Sequence, residues 1–173
     1  MSLCKLDSNI KRGNACGYSL PEIVTIYLAN FEDFSGVTPT ADTKGCESIE
    51  TIPSGITWYQ IDPAKNSASF TDELVVNDNG TKYRTHTLTF NTLGNYTACQ
   101  HLALDQLSLG KYVAIIQTAE GSYLMLGRLT GLEASTAALN GGSDNNGMNI
   151  VLTANTTESA VPTVAPTTIA ADA

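Results

Sequence analysis

Asp72 and His86 are the pair whose types and spacing come nearest to chemistry in this sequence. They lie on either side of "NDNG", residues 77–80, in the stretch "SASFTDELVVNDNGTKYRTHTLTF". A three-residue loop Asp78-Asn79-Gly80, a type I turn closed by glycine in the left-handed conformation, joins two strands there. Counting outward from Asn77 opposite Thr81 sets Asp72 across from His86. A carboxylate orienting an imidazole makes two members of a nucleophilic triad. No Gly-x-Ser-x-Gly elbow, phosphate-binding glycine loop or His-Glu-x-x-His helix supplies the rest. Cross-strand Asp–His pairs are common structural features, so a structural role is expected and no catalytic residue is assigned.

The other reactive side chains form no constellation. Cys4, Cys16, Cys46 and Cys99 include no Cys-x-x-Cys pair, and His86 and His101 complete no zinc pattern. They read as free thiols of a reducing compartment. "SDNN" at 143–146 lacks the spaced carboxylates and final Glu of a calcium loop and reads as a turn. The Asn-x-Ser/Thr triplets at Asn79, Asn95 and Asn155 read as chance matches in a chain rich in Asn and Thr. No metal and no cofactor is expected.

Charge narrows the partners. The chain carries 17 acidic against 9 basic residues, a net charge of -8, and charged residues make up only 15% of its 173 residues. A surface so poor in charge fits one largely covered by neighbours. No Lys or Arg lies between Arg12 and Lys44 or after Arg128. Nucleic-acid binding needs cations that displace counterions, so this balance argues against it. No 18-residue apolar run exists, which argues against a membrane partner. The first residues lack the apolar core of a signal peptide, so a cytoplasmic protein is expected.

The elements that must position these residues are mostly strands. Residues 1–20, rich in Gly, Asn and Ser, read as an arm. "PEIVTIYLA" (21–29) reads as a strand, residues 30–55 as a long loop with a short strand near 48–52, and "ITWYQIDP" (56–63) as a strand holding Trp58, whose expected place is core or interface packing. "NYTACQHLALDQLSLG" (95–110) shifts to helical spacing, with Asn95 as N-cap and Gly110 as stop. "KYVAIIQTAEGSYLMLGRLTGLEA" (111–134) reads as a hairpin turning at Gly121, its first strand apolar enough to be buried on both faces. "STAALNGGSDNNG" reads as a loop, "MNIVLTA" (148–154) as a last strand, and residues 156–173 as an extended tail. The expected organisation is an arm (1–20), a mainly β sandwich or barrel with long hairpins and one helix (21–155), and the tail.

Alternation splits the hairpin at 67–90 into two faces. Phe70, Leu74, Leu88 and Phe90 share one. Ser69, Thr71, Glu73, Thr85, Thr87 and Thr89 share the other, which is almost wholly small hydroxyls. In this setting "VTIYLANFEDF", the Thr-rich hairpin, the helix, the Val113–Gly127 segment and "MNIVLTANTTE" resemble tail tube (major tail) proteins of tailed phages, of the type infecting Bacteroidetes. The resemblance covers roughly residues 20–160 and is one of shape and order. It implies a structural, non-enzymatic virion protein of the phage tail, assembled in the host cytoplasm. Its rings, usually hexameric, stack into a hollow tube through which genome DNA passes, and its partners are other copies and other tail proteins. DNA is a transient passenger. The six polar residues above would face the lumen. Phe70, Leu74, Leu88 and Phe90 would pack on the helix around Leu102 and Leu107. Lys82, Arg84 and Trp58 would meet neighbouring subunits. A tail terminator, head-completion or capsid decoration protein shares the same features, and a carbohydrate-binding β-sandwich is a remoter alternative.

Overall fold

The computed structural model describes residues 22–93, 98–142 and 147–171. The expected arm, Cys4, Cys16, the Asn95 cap and the "SDNN" turn fall outside these. Among the described residues the protein is mainly β with one α-helix. Its strands are β1 (Ile23–Asn30), β2 (Thr40–Ala41), β3 (Glu47–Ser48), β4 (Tyr59–Ile61), β5 (Ser69–Val76), β6 (Lys82–Leu93), β7 (Lys111–Thr118), β8 (Tyr123–Leu126), β9 (Leu132–Asn140), β10 (Gly147–Thr156) and β11 (Val161–Thr163); the helix α1 spans Ala98–Leu109.

Apart from the small β2–β3 ladder, the strands join one antiparallel sheet that folds over on itself. One half runs β5-β6-β10-β9; the other gathers β4, β1, β7, β8 and β11. Residues of both halves meet in one core: Ile26 and Leu28 of β1, Ala114 and Ile116 of β7, Leu88 and Phe90 of β6, Ile150 and Leu152 of β10, with Leu107 of α1. The corner between the halves lies at residues 127–131, where β7 exchanges β8 for the first residues of β9. Gly127 has φ +73 and accepts the Gly131 N–H at 2.8 Å, and a Cβ there would meet Leu132 Cγ at 2.8 Å. The sharp reversal therefore requires glycine.

β7 is buried on both faces, as its apolar run predicts. Its second face, with Tyr27 and Ala29, is covered by the long loop through Val37, Ile49, Ile52, Ile56 and Trp58, which form another core. The loop is thus a third layer of the domain. Trp58 is fully buried, edge-on to Phe34 with ring centroids 6.2 Å apart.

Two segments differ from what the sequence predicts. The stretch opening "STAALN" is strand β9 and not a loop: small residues carry little β propensity, but ladder bonding to β10 holds them extended. The C-terminal tail is extended but packed onto the domain. β11 pairs with β8, Ile49 N–H donates to Pro162 O at 2.9 Å, and Trp58 donates to Thr168 O and accepts from Ala170 N–H at 2.9 and 2.8 Å.

Candidate functional site: a hydroxyl-lined sheet face

The β5–β6 hairpin has the predicted pairing: Ser69 opposite Thr89, Thr71 opposite Thr87, Asp72 opposite His86, Glu73 opposite Thr85. Gly80, at φ +81, closes the loop, and Asn77 N–H donates to Thr81 O at 2.9 Å. The polar face does not stop at the hairpin. Thr85, Thr87, Thr89 and Asn91 of β6 stand beside Asn155, Thr153, Val151 and Asn149 of β10; Thr153 and Val151 in turn stand beside Glu133 and Thr136 of β9. Thr85 Oγ1 donates to Asn155 Oδ1 at 2.9 Å. The result is one continuous four-strand surface, mostly of hydroxyls and amides, with Val151 and Ala138 as apolar members among them.

Its charges are few. Glu73 is exposed, and Glu133 pairs with Lys111 directly opposite, 2.8 Å apart. Among the described strands, Lys111 is the cation that the pairing registers place on this face. Hydroxyls and amides bind water at little cost, and among the described strands the face carries no cluster of cations to give phosphate a foothold. No group of His, Cys, Asp and Glu among the described residues could hold a metal ion, and no described helix is long and apolar enough to cross a membrane.

The opposite face holds the Asp72–His86 pair in a charged seam. Arg84 Nε donates to Asp72 Oδ1 at 2.7 Å, and Ala160 N–H donates to Asp72 Oδ2 at 2.9 Å. His86 Nδ1 accepts the Gly127 N–H at 3.2 Å, leaving Nε2 toward Asp72 Oδ1 at 3.5 Å. At 2% exposure the imidazole is closed to any substrate. It joins the hairpin to the corner and to residues 158–160. Beyond it, Arg128 grips Glu158 in a bidentate pair, with Nη2–Oε1 at 2.6 Å, and donates to Val37 O at 3.1 Å. These partners are 30 and 91 residues away in sequence, and no local pattern marks them.

Burial lowers the pKa of His86, against the opposing pull of Asp72 and the Glu158 backbone. Burial acts to raise that of Asp72, but the bonds from Arg84 and Ala160, with the His86 charge, outweigh it and hold the carboxyl below its usual range. The unfolded chain therefore binds a proton at His86 before the folded one does. Stability should fall as pH drops below about 6.5, the ordinary His value, and fall further below the ordinary Asp value near 3.8. Thermal melting from pH 8 to 5 should show the first decline, and His86→Gln should flatten it. An unchanged slope in the variant would assign the decline to other groups.

Several sequence assignments find different places. Leu88 and Phe90 are fully buried, Leu107 is buried and Phe70 half-buried against the same core. Leu74 is 57% exposed, because the hairpin runs past the core toward its tip, and Leu102 is 59% exposed on the outer side of α1. Neither packs hairpin to helix within the chain. Trp58 cannot meet a neighbouring subunit, being enclosed by its own loop and tail. Arg84 is engaged by Asp72 of its own chain, while Lys82 lies exposed. Ser69, Thr71 and Glu73 are exposed, and Thr85, Thr87 and Thr89 half-buried. Comparison of the chain with protein-family models, curated proteins and solved structures finds no match.

Proposed function

We propose that this protein is a structural subunit of a phage tail tube, a hollow conduit for DNA built of stacked rings of identical copies. The observation that carries the reading is the four-strand hydroxyl face. It is wet, almost free of cations and wider than a lone domain needs. A monomeric sandwich commonly wets its outer faces with Lys and Glu; a conduit for a polyanion is better lined with small polar groups that hydrate without gripping.

The strand arrangement supports the same reading. Among the described residues the four-strand sheet ends in β5 on one side, and on the other in β9, whose residues 134–139 pair only with β10. Edges of that kind invite pairing with another chain. Head-to-tail contact between unlike edges builds rings when the rotation closes. If six copies close the ring, with strands about 4.8 Å apart and tilted as in known barrels, the backbone cylinder is about 48 Å across. That admits duplex DNA with its water. The exposed apolar residues Leu74, Val76, Leu102, Leu109 and Leu139 gain cover in such an assembly.

Negative-stain microscopy of the purified protein over a range of concentrations tests the reading. Hollow tubes or stacked rings with a central pore are expected, with tail-tip extract added where the protein alone stays dispersed. Single closed rings that never stack would replace the tube with a terminator or connector. A monomer at every concentration, unchanged by the extract, would overturn assembly altogether.

A further inference from the structure

We infer that β9 of one copy pairs antiparallel with β5 of the next, staggered by four or six residues, and that this stagger sets the strand tilt of the ring. The inference rests on the assembly proposed above. Directions alternate through β5, β6, β10 and β9, so a head-to-tail junction is antiparallel, like every other pair in the sheet.

The stagger follows from the registers. Through β10, Ala134, Thr136, Ala137, Ala138 and Leu139 of β9 lie level with Leu88, Thr89, Phe90, Asn91 and Thr92 of β6. Ser69 to Val76 of β5 lie level with Thr89 back to Lys82. Placed straight across, only Ala134 and Thr136 would meet the next copy's β5, opposite Phe70 and Ser69. All five find partners only when the neighbour is displaced by three to six residues along the strand (92 minus 89 and 88 minus 82). An odd displacement would set hydroxyl face against apolar face, so four and six remain.

Each copy advances the sheet by four strands, about 19 Å, while four or six residues rise about 13 or 20 Å. The ratio gives a tilt of about 35° or 46°, close to the range of closed barrels and independent of copy number. On the apolar side the stagger sets Leu74 against Ala134 or Ala137, small residues that leave room for the exposed leucine. On the polar side it sets Glu73 opposite Thr136 for four residues or Ala138 for six.

Paired cysteines read the register. Glu73→Cys with Thr136→Cys reports a stagger of four, and Glu73→Cys with Ala138→Cys a stagger of six. Within one chain these positions lie at opposite edges of the four strands, about 14 Å apart across the sheet and a further four or six residues apart along it, too far for a disulfide. Oxidation of assembled protein should therefore give a ladder of covalent oligomers for one pair and not the other, with the single-cysteine variants as controls for the native thiols. Leu74→Lys should raise the concentration needed for assembly at least tenfold and leave the monomer's circular dichroism unchanged. Tubes or rings in the microscope without a ladder from either pair would overturn the junction and leave the tube standing. Equal ladders from both pairs would overturn a fixed stagger. No assembly and no ladder under any condition would overturn junction and tube together.

Discussion

Replacing Trp58 with alanine should cost about 3–5 kcal/mol, the range for truncating a fully buried large aromatic. Domains of this size hold only about 5–15 kcal/mol, so the loss would unfold a sizeable fraction of the protein at moderate urea. The structural reason lies in what the indole joins. Trp58 fills the core beneath the long loop, and its backbone takes both ladder bonds from residues 168 and 170. With the side chain gone, loop and tail lose their common support, and β7 loses cover on its second face. Urea melts followed by circular dichroism measure the loss, since the only tryptophan is removed. Limited proteolysis should cut the variant first between residues 160 and 171. Trp58→Phe is the control: the indole N–H has no acceptor among the described residues, so exchanging the ring forfeits no hydrogen bond and should cost much less. Equal losses in the two variants would show that ring size, not truncation, governs the site.

Local rules carried the reading of this fold where they were strong, and failed where contacts were remote. The hairpin register was legible because Asp78-Asn79-Gly80 allows one tight loop, and alternation then assigns each residue to a face. β7 was legible because a nearly continuous apolar run has nowhere to go but between two layers. β9 was not, since Ser135, Ala137 and Ala138 have neither bulk nor branching to announce a strand, and Thr136 alone does not outweigh them. The docking of the tail depends on Trp58 and Ile49, more than a hundred residues earlier, and no periodicity records it. The Arg128–Glu158 pair was hidden for the same reason. Half of the polar face was therefore visible as a pattern in the hairpin. The other half, from β10 and β9, came from pairing between strands distant in sequence. Leu74 and Leu102 show the limit of periodicity: it puts a residue on a side of its element and does not say what lies there.

Lysines on the hydroxyl face should spare assembly and block the proposed conduit. Thr71, Glu73 and Thr87 are neighbours on that face; Thr71 and Glu73 are exposed and Thr87 half-buried, so long side chains there can reach solvent. Thr71→Lys, Glu73→Lys and Thr87→Lys together change each copy by +4, and a six-membered ring by about +24. Lys side chains lining such a tube would reach to within about 8–10 Å of a centred duplex, the screening distance at physiological salt. Each ring would then act as a phosphate-binding collar, and counterion release would favour arrest of DNA at every ring. Phage carrying the variant should form tubes of normal length and adsorb normally, yet deliver genome slowly; the expected fall in plaque titre is at least a hundredfold. Purified variant tubes should retain short duplex DNA at low salt and release it as salt rises, whereas the natural tubes retain none. The match of the expected defect to the face matters. Lysines at Thr40 and Ala41 on the remote β2–β3 ladder add charge without touching the hydroxyl face and should leave delivery unchanged. Normal titres from phage with lysine-lined tubes would mean that this surface never meets DNA, and the hydroxyl face would have to serve contact between proteins.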